Sequence, residues 1–247
     1  MAREVNRVRS FVPTYIRGFD DGLGRGIPKG QVVLIRGATG TMKSSIAYSI
    51  LYHNAEKGIR GLYVTLEQDG AAFLAQMAAL GLKPTSVSNV LPVLDLGRGR
   101  EVHEKLARNL KDWARAPAER PMTALLKAKI SQLREEFRFE LLAIDSWTAL
   151  IALLELEDLR RETFDLFEWL RSLGCTAFVI AEEAEGQEGL EEEFLADAIF
   201  RLRLEAVTDV SFQRRIQCSK MRSANHSSDF FTLVFEKGYF EVAKAIS

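Results

Sequence analysis

The segment GATGTMKSS, residues 37–45, constrains the fold of this chain more than any other feature. It directly follows an apolar run from Gln31 to Arg36 that is typical of a buried strand, and a helical spacing of apolar residues begins near Lys43. A glycine-rich turn between a strand and a helix directs backbone N–H groups toward one point, where the helix dipole adds positive charge. The segment therefore predicts a phosphate-binding loop, although an ordinary glycine-rich turn is the alternative.

The loop supplies the groups that a nucleotide phosphate requires, with one departure from the pattern G-x-x-x-x-G-K-[ST]. Gly37 and Gly40 allow the turn, Lys43 provides a cation for the phosphates, and Ser44 provides a hydroxyl for Mg²⁺. Met42 occupies the position of a glycine, and a left-handed backbone there costs roughly 1–2 kcal/mol, enough to weaken nucleotide binding about tenfold. We assign nucleotide binding to Gly37, Ala38, Thr39, Gly40, Thr41, Met42, Lys43, Ser44 and Ser45.

The rest of the chain alternates apolar strands with amphipathic helices and then changes to strands alone. This pattern predicts an α/β fold, a mainly parallel sheet flanked by helices with C-terminal antiparallel strands. We expect a single domain over residues 1–247, with a lead-in over 1–30 and a β-hairpin region over 198–247. The predicted strands are Gly61–Leu66, Val90–Leu94, Glu140–Ile144, Thr176–Ala181, Ala198–Leu204, Arg214–Ser219 and Phe231–Phe235. The predicted helices after the loop helix are Ala71–Leu80, Val102–Ala114, Met122–Phe137 and Leu159–Leu173.

Two of these strands end in polar residues that suit phosphoryl transfer. The strand in ELLAIDS ends in Asp145, and a carboxylate at that edge of the sheet can hold a Mg²⁺-bound water. Glu67 and Gln68 follow another buried strand, where a carboxylate can orient and deprotonate an attacking water, so Glu67 is the candidate general base. The simpler interpretations stay open: Asp145 as a helix N-cap, a role that Ser146 could also fill, and Glu67 as an ordinary surface residue.

Composition limits the partners and the compartment. The chain has 33 Lys and Arg residues against 34 Asp and Glu residues, so it lacks the general basic excess of nucleic-acid-binding proteins. Cys175 and Cys218 lie at apolar positions without metal-ligand spacing, which indicates reduced core cysteines. No apolar run approaches the roughly 18 residues of a membrane span, and the start MAREVNRVRS lacks the apolar part of a secretory signal. We expect a cytoplasmic protein that does not enter a membrane.

Together these segments resemble the KaiC-like branch of the RecA superfamily of P-loop ATPases, and the resemblance extends through nearly the whole chain. It includes the loop with the preceding IRGFDDGLGRGIPKGQVVLIRG, then YVTLEQ, AIDSWTAL, EEEFLADAIFRLRLE and KMRSANHS. The resemblance implies a RecA-like fold that binds ATP and Mg²⁺ through the lysine and hydroxyl of the loop and through Asp145. It also implies that Glu67 and Gln68 stand where the family has paired acidic residues.

The resemblance further implies a site shared between subunits. In this family the turn K-x-R-G-T-S-H places its lysine and arginine in the neighbouring subunit's nucleotide site, usually within a hexameric ring. By position, Lys220 and Arg222 would stabilise the transferring phosphate in trans, the role of an arginine finger, whereas the simpler interpretation is an exposed basic turn. Met42, Gln68 and the residues after Arg222, Ser223–Asn225, depart from the family pattern. Together they favour slow hydrolysis, or nucleotide binding with little turnover.

The expected function is therefore a slow ATPase in a homo-oligomer whose nucleotide state engages an unidentified protein partner. One alternative is a nucleotide-sensing scaffold without hydrolysis. Another is a RadA-like recombinase paralogue that binds single-stranded DNA, for which the near-neutral charge is unfavourable. Circadian timekeeping and autophosphorylation, known from double-domain members of the family, are not inferred for one such domain. The basic patch that could serve DNA binding comprises Arg98, Arg100, Arg108 and Arg115.

Overall fold

The centre of the molecule is a β-sheet whose strands alternate along the chain with helices. The computed structural model describes residues 10–96, 122–154, 159–183 and 191–244. Two short strands, β1 (Phe11–Val12) and β2 (Ile27–Pro28), form a small antiparallel sheet of their own. The main sheet comprises β3 (Val32–Gly37), β4 (Gly61–Thr65), β5 (Val93–Asp95), β6 (Leu141–Asp145), β7 (Thr176–Glu182), β8 (Ala198–Thr208), β9 (Ser211–Met221), β10 (Phe231–Glu236) and β11 (Tyr239–Lys244).

The main sheet combines parallel and antiparallel pairing. Its order within the described residues is β11-β10-β9-β8-β3-β7-β6-β4-β5. The central strand β3 lies parallel between β7 and β8, with Leu34 opposite Val179 on one side and Ile199 on the other. From β8 toward β11 each pairing is antiparallel. The predicted α/β fold, a mainly parallel sheet with C-terminal antiparallel strands, is therefore confirmed.

Helices cover both faces of the sheet. Because successive side chains of a strand point to opposite faces, β3 contributes to two separate cores. Val33 and Ile35 belong to the same buried cluster as Tyr48, whereas Leu34 belongs to a second cluster with Leu166. The described helices are α1 (Phe19–Gly22), α2 (Lys43–Ala55), α3 (Gly70–Ala79), α4 (Met122–Phe137), α5 (Trp147–Leu154), α6 (Leu159–Ser172) and α7 (Glu191–Leu195), with a 3₁₀ turn at Pro84–Val87. None of them has the length and apolar character needed to cross a membrane.

Several elements differ from the sequence-based predictions. Helix α5 was not predicted, because its eight residues WTALIALL are apolar almost throughout and show no helical periodicity. Strands β8 and β9 extend beyond their predicted ends as an exposed two-stranded ribbon. Strand β11 was also missed, although Lys237 and Gly238, at φ 50° and 84°, form the two-residue turn typical of a hairpin. The predicted helix Val102–Ala114 lies outside the described residues.

Candidate functional site

The loop between β3 and α2 has the backbone geometry that its sequence predicts. A Cβ atom on Gly37 would lie 2.3 Å from the carbonyl oxygen of Leu202, so the close approach of β8 requires glycine there. Gly40 has φ 83°, and Met42 has φ 70° and ψ 30°, the left-handed conformation expected for its position. From β9, the Nε of Arg214 donates a hydrogen bond to the Gly40 carbonyl at 3.2 Å. The antiparallel part of the sheet thus contacts the loop directly.

The loop opens on a cleft of about 390 Å³ at the carboxyl ends of the parallel strands. Ligands of open α/β sheets bind at this edge. The cleft is lined by the predicted site residues Thr39, Gly40, Met42, Lys43, Ser44, Ser45, Glu67, Gln68 and Asp145. Further lining residues are Gln76, Leu80, Ser146, Ile180 and Glu182. The structure therefore brings the predicted phosphate, metal and general-base residues together.

Lys43 lies in the middle of this cleft. Its Nζ donates to the carbonyl oxygen of Ala38 at 3.0 Å, and the hydroxyl of Thr41 donates to the same oxygen at 2.7 Å. Burial lowers the pKa of Lys43, while the nearby carboxylates, Glu182 first, act to raise it. The ammonium group is thus buried among acids, where a bound phosphate would be its strongest partner.

Asp145 and Ser44 form a pair of oxygen donors next to the lysine. The phenol of Tyr63 donates to Asp145 Oδ2 at 2.7 Å, and Ser44 lines the same cleft as Asp145. Burial raises the pKa of Asp145, and the hydrogen bond from Tyr63 and the nearby Ser44 hydroxyl oppose that rise. A carboxylate and a hydroxyl side by side are the hard oxygen ligands that suit Mg²⁺.

The donor set fits a cation held jointly with phosphate. Among the described residues, no group of three or more His, Cys, Asp or Glu side chains could hold a metal ion by itself. Mg²⁺ typically keeps several waters and uses one or two protein ligands together with phosphate oxygens. Ser44 and Asp145 match that requirement, and Lys43 is placed to bind the same phosphates.

Glu67 lies at the end of β4 and is fixed from the neighbouring strand. The hydroxyl of Ser146 donates a hydrogen bond to Glu67 Oε1, and Ser146 Oγ accepts a bond from the backbone N–H of Ala149 at 3.2 Å. Ser146 therefore caps helix α5, so the N-cap interpretation of Asp145 is not needed. Gln68 is exposed at the cleft, and its backbone carbonyl accepts a bond from the Thr65 hydroxyl at 2.9 Å.

Lys220 and Arg222 lie far from this chain's own cleft. Lys220 pairs with Ile199 near the start of β8, and its Nζ donates to the carbonyl of Glu193 at 2.8 Å. The Arg222 guanidinium contacts Asp197 Oδ1 at 3.2 Å, and Asp197 Oδ2 accepts a bond from the first residue of β3. Both basic residues therefore lie toward the amino edge of the parallel strands. Along the strand direction, Arg222 is level with Val32, about 17 Å from Gly37, and Lys220 is level with Leu34, about 10 Å from Gly37.

Several residues of the cleft, and Tyr63 behind it, were not found from the sequence. Glu182 ends β7 one residue beyond the predicted strand, so the strand-end rule that identified Asp145 would have identified it too. Ser146 was considered only as a cap, and its bond to Glu67 depends on two neighbouring strands. Tyr63 was counted among the apolar residues of its strand, and no signal in the sequence distinguishes its hydroxyl.

The fold and the cleft together define a P-loop NTPase of the RecA type. A family model described as "ATPase: KaiC" matches residues 12–245, and the chain belongs to this KaiC ATPase family. The domain is therefore a nucleotide-binding ATPase domain by family, as the sequence resemblance implied.

Individual relatives agree with this assignment. The chain is 28% identical over 232 residues to "Circadian clock protein KaiC3" of Synechocystis, covering 91% of this chain and 44% of that protein. It is 27% identical over 229 residues to "UPF0273 protein PH0284" of Pyrococcus horikoshii, covering 87% of each. Among solved structures, the KaiC-like protein PH0186 from the same archaeon superposes with a TM-score of 0.77 at 24% identity, over 95% of this chain and 99% of that one. This last likeness supports the fold.

Proposed function

We propose that this chain binds ATP and Mg²⁺ in the cleft, hydrolyses ATP slowly, and acts in a homo-oligomer whose nucleotide state controls binding of a partner protein. The observation that supports it is the convergence of Lys43, Ser44, Glu67 and Asp145 on one cleft. A phosphate loop alone would support nucleotide binding only. The addition of an acid at each of two neighbouring strand ends supports hydrolysis.

Each residue then has a distinct role. The Lys43 ammonium binds β- and γ-phosphate oxygens, while Ser44 and Asp145 hold the cation directly or through its water. Mg²⁺ supplies neutralisation of the charge that develops on the phosphates. Glu67, held by Ser146, orients the attacking water and accepts its proton.

Lys220 and Arg222 lie toward the edge of the sheet opposite the cleft, and this position supports sites that a second subunit completes. Along the strand direction they lie about 10 Å (Lys220) and 17 Å (Arg222) from Gly37, and their side chains bond the Glu193 carbonyl and Asp197 rather than any residue lining the cleft of the same chain. A neighbouring copy that places its amino sheet edge against this cleft would supply both cations. A hexameric ring, as implied by the family resemblance, is the arrangement we propose.

Calorimetric titration tests the binding step. ATP with Mg²⁺ should bind the native protein, and Lys43→Ala should weaken that binding at least tenfold because the phosphate cation is lost. Glu67→Gln should retain nucleotide but lose turnover by about a hundredfold or more, the usual contribution of a general base. Equal binding by native protein and Lys43→Ala would refute nucleotide binding at this loop.

Subunit mixing tests the trans arrangement. Glu67→Gln and Arg222→Ala should each be nearly inactive, because every site lacks one group. In a head-to-tail assembly formed from an equal mixture, about a quarter of the interfaces combine an intact Glu67 with an intact Arg222. Activity should therefore recover to about a quarter of the native value after the variants are unfolded, mixed and refolded together. An inactive mixture of folded, assembled subunits would contradict sharing of the site.

A nucleotide-sensing scaffold is the second candidate, and the replacement of an acidic residue by Gln68 at the cleft favours it. In that case, turnover would stay at background at every protein concentration, whereas shared sites gain specific activity as the oligomer assembles. The four arginines of the DNA-binding alternative lie outside the described residues. Filter binding of single-stranded DNA at two salt concentrations tests it.

A further inference from the structure

Tyr63 carries a hydroxyl in the middle of the sheet. The residue is fully buried in β4, where its neighbours Leu62 and Val64 are apolar. Its phenol donates to Asp145 Oδ2 at 2.7 Å. A buried hydroxyl costs stability unless it is hydrogen-bonded, and here its partner is one of the two proposed cation ligands.

A second buried tyrosine shows that packing alone does not produce such contacts. Tyr48 of α2 belongs to the same aromatic cluster, with its ring centroid 5.6 Å from that of Tyr63. Both rings also contact Phe73, edge-on for Tyr48 and stacked for Tyr63. Tyr48 is equally buried, but its hydroxyl has no hydrogen-bond partner within the described residues. The Tyr63 hydroxyl is thus distinguished by the atoms it contacts.

The hydrogen bond from Tyr63 restricts one of the two proposed cation ligands. Asp145 is almost completely buried, and a phenol bonded to Oδ2 fixes the plane of its carboxylate. Ser44, the other proposed ligand, lines the same cleft as Asp145 from the adjacent helix. Hydrogen-bonding partners behind metal ligands orient those ligands, and their loss typically costs about 10–100-fold in metal affinity.

We propose that Tyr63 is a positioning residue for Mg²⁺: through its hydroxyl it holds the Asp145 carboxylate in the orientation that binds the nucleotide's cation. The inference rests on the proposed function, because it assumes that nucleotide and Mg²⁺ occupy the cleft. Tyr63 does not contact the nucleotide. Its removal therefore changes the dependence on Mg²⁺ and leaves metal-free nucleotide binding unchanged.

The experiment compares Tyr63→Phe with Tyr48→Phe, since each removes one buried hydroxyl and keeps the ring. ADP is titrated calorimetrically into native protein and both variants, in EDTA and in Mg²⁺. In EDTA the three affinities should agree within about twofold. The gain in affinity from Mg²⁺ should fall by about tenfold or more in Tyr63→Phe and stay at the native value in Tyr48→Phe. In turnover assays of Tyr63→Phe, the Mg²⁺ concentration for half-maximal activity should rise by about the same factor. The kcat of this variant at saturating Mg²⁺ should stay within about twofold of the native value.

The outcomes separate this inference from the proposed function. If native protein gains affinity from Mg²⁺ and Tyr63→Phe gains as much, the positioning role is wrong while the proposed function stands. If native protein binds no nucleotide or gains nothing from Mg²⁺, both are wrong. If Tyr63→Phe and Tyr48→Phe lose the Mg²⁺ gain equally, the effect belongs to the aromatic cluster and the specific role of Tyr63 is refuted. Thermal unfolding of both variants verifies that the sheet is intact.

Discussion

The backbone of Met42 is left-handed, with φ 70° and ψ 30°. Comparing the variants Met42→Gly and Met42→Ala measures the free-energy cost of that conformation. Both substitutions remove the half-buried side chain that packs on the core, so the lost contacts are nearly equal. Alanine retains the left-handed penalty of roughly 1–2 kcal/mol, whereas glycine does not. Glycine in turn loses about 0.5–1 kcal/mol more than alanine through its greater freedom in the unfolded chain. Met42→Gly should therefore be more stable than Met42→Ala by about 1 kcal/mol.

For a control position on helix α3, the stability difference between glycine and alanine should have the opposite sign. Ala75 is exposed in the middle of α3, where glycine should be about 1 kcal/mol less stable than alanine. Urea unfolding in nucleotide-free buffer measures all three variants, and equal m-values show that the same surface is exposed on unfolding. If Met42→Gly is no more stable than Met42→Ala, the loop relaxes out of the left-handed conformation and the strain assigned to Met42 is absent.

Three further changes test the packing around the cleft. Glu193→Ala should cost about 2 kcal/mol in urea unfolding, because Glu193 pairs with the buried Arg36 guanidinium and with Arg201 while Arg36 keeps Glu183, and retention of native stability would contradict that pairing. Asp145→Asn should raise the melting temperature near pH 7, because burial raises the folded pKa of Asp145 and its anion costs stability. The native carboxyl regains that stability as pH falls through its folded pKa, so the advantage of asparagine should shrink in acid, and a constant advantage would argue against this cause. Gly37→Ala should cost roughly 3 kcal/mol, since its Cβ would lie 2.3 Å from the Leu202 oxygen, and a neutral effect on the urea midpoint would mean that β8 moves freely.

The part of the site that the sequence predicts follows from local patterns. A glycine-rich segment between a strand and a helix identifies the loop, and apolar runs ending in Glu67 and Asp145 identify two more strand ends. Parallel strands end at the same edge of a sheet, so these residues had to meet once the sheet was parallel. Their convergence needed no information about distant contacts beyond the fold class.

The remaining site residues depend on contacts between strands. Tyr63 and Asp145 are 82 positions apart, and their hydrogen bond depends on the register that sets Thr65 opposite Asp145. Alternation along β4 predicts the face of the sheet on which a side chain lies. It does not predict which distant residue the end of that side chain will contact. The hydroxyl of Ser146 reaches Glu67 in the same way. The local periodicity of a sequence carries no information about hydrogen bonds between residues on neighbouring strands.

Lys220 and Arg222 show how pairing direction decides which subunit a motif can serve. If β9 ran parallel to β8, its C-terminal residues would reach the edge that carries the phosphate loop. The antiparallel register sets Lys220 opposite Ile199, at the start of β8, and so directs both cations to the other edge. With the cleft at one edge and these cations toward the other, the proposed shared site requires a second copy of the chain. The amino edge of the sheet should therefore be a subunit interface, and reversing the charge of Arg222 should weaken assembly and activity together.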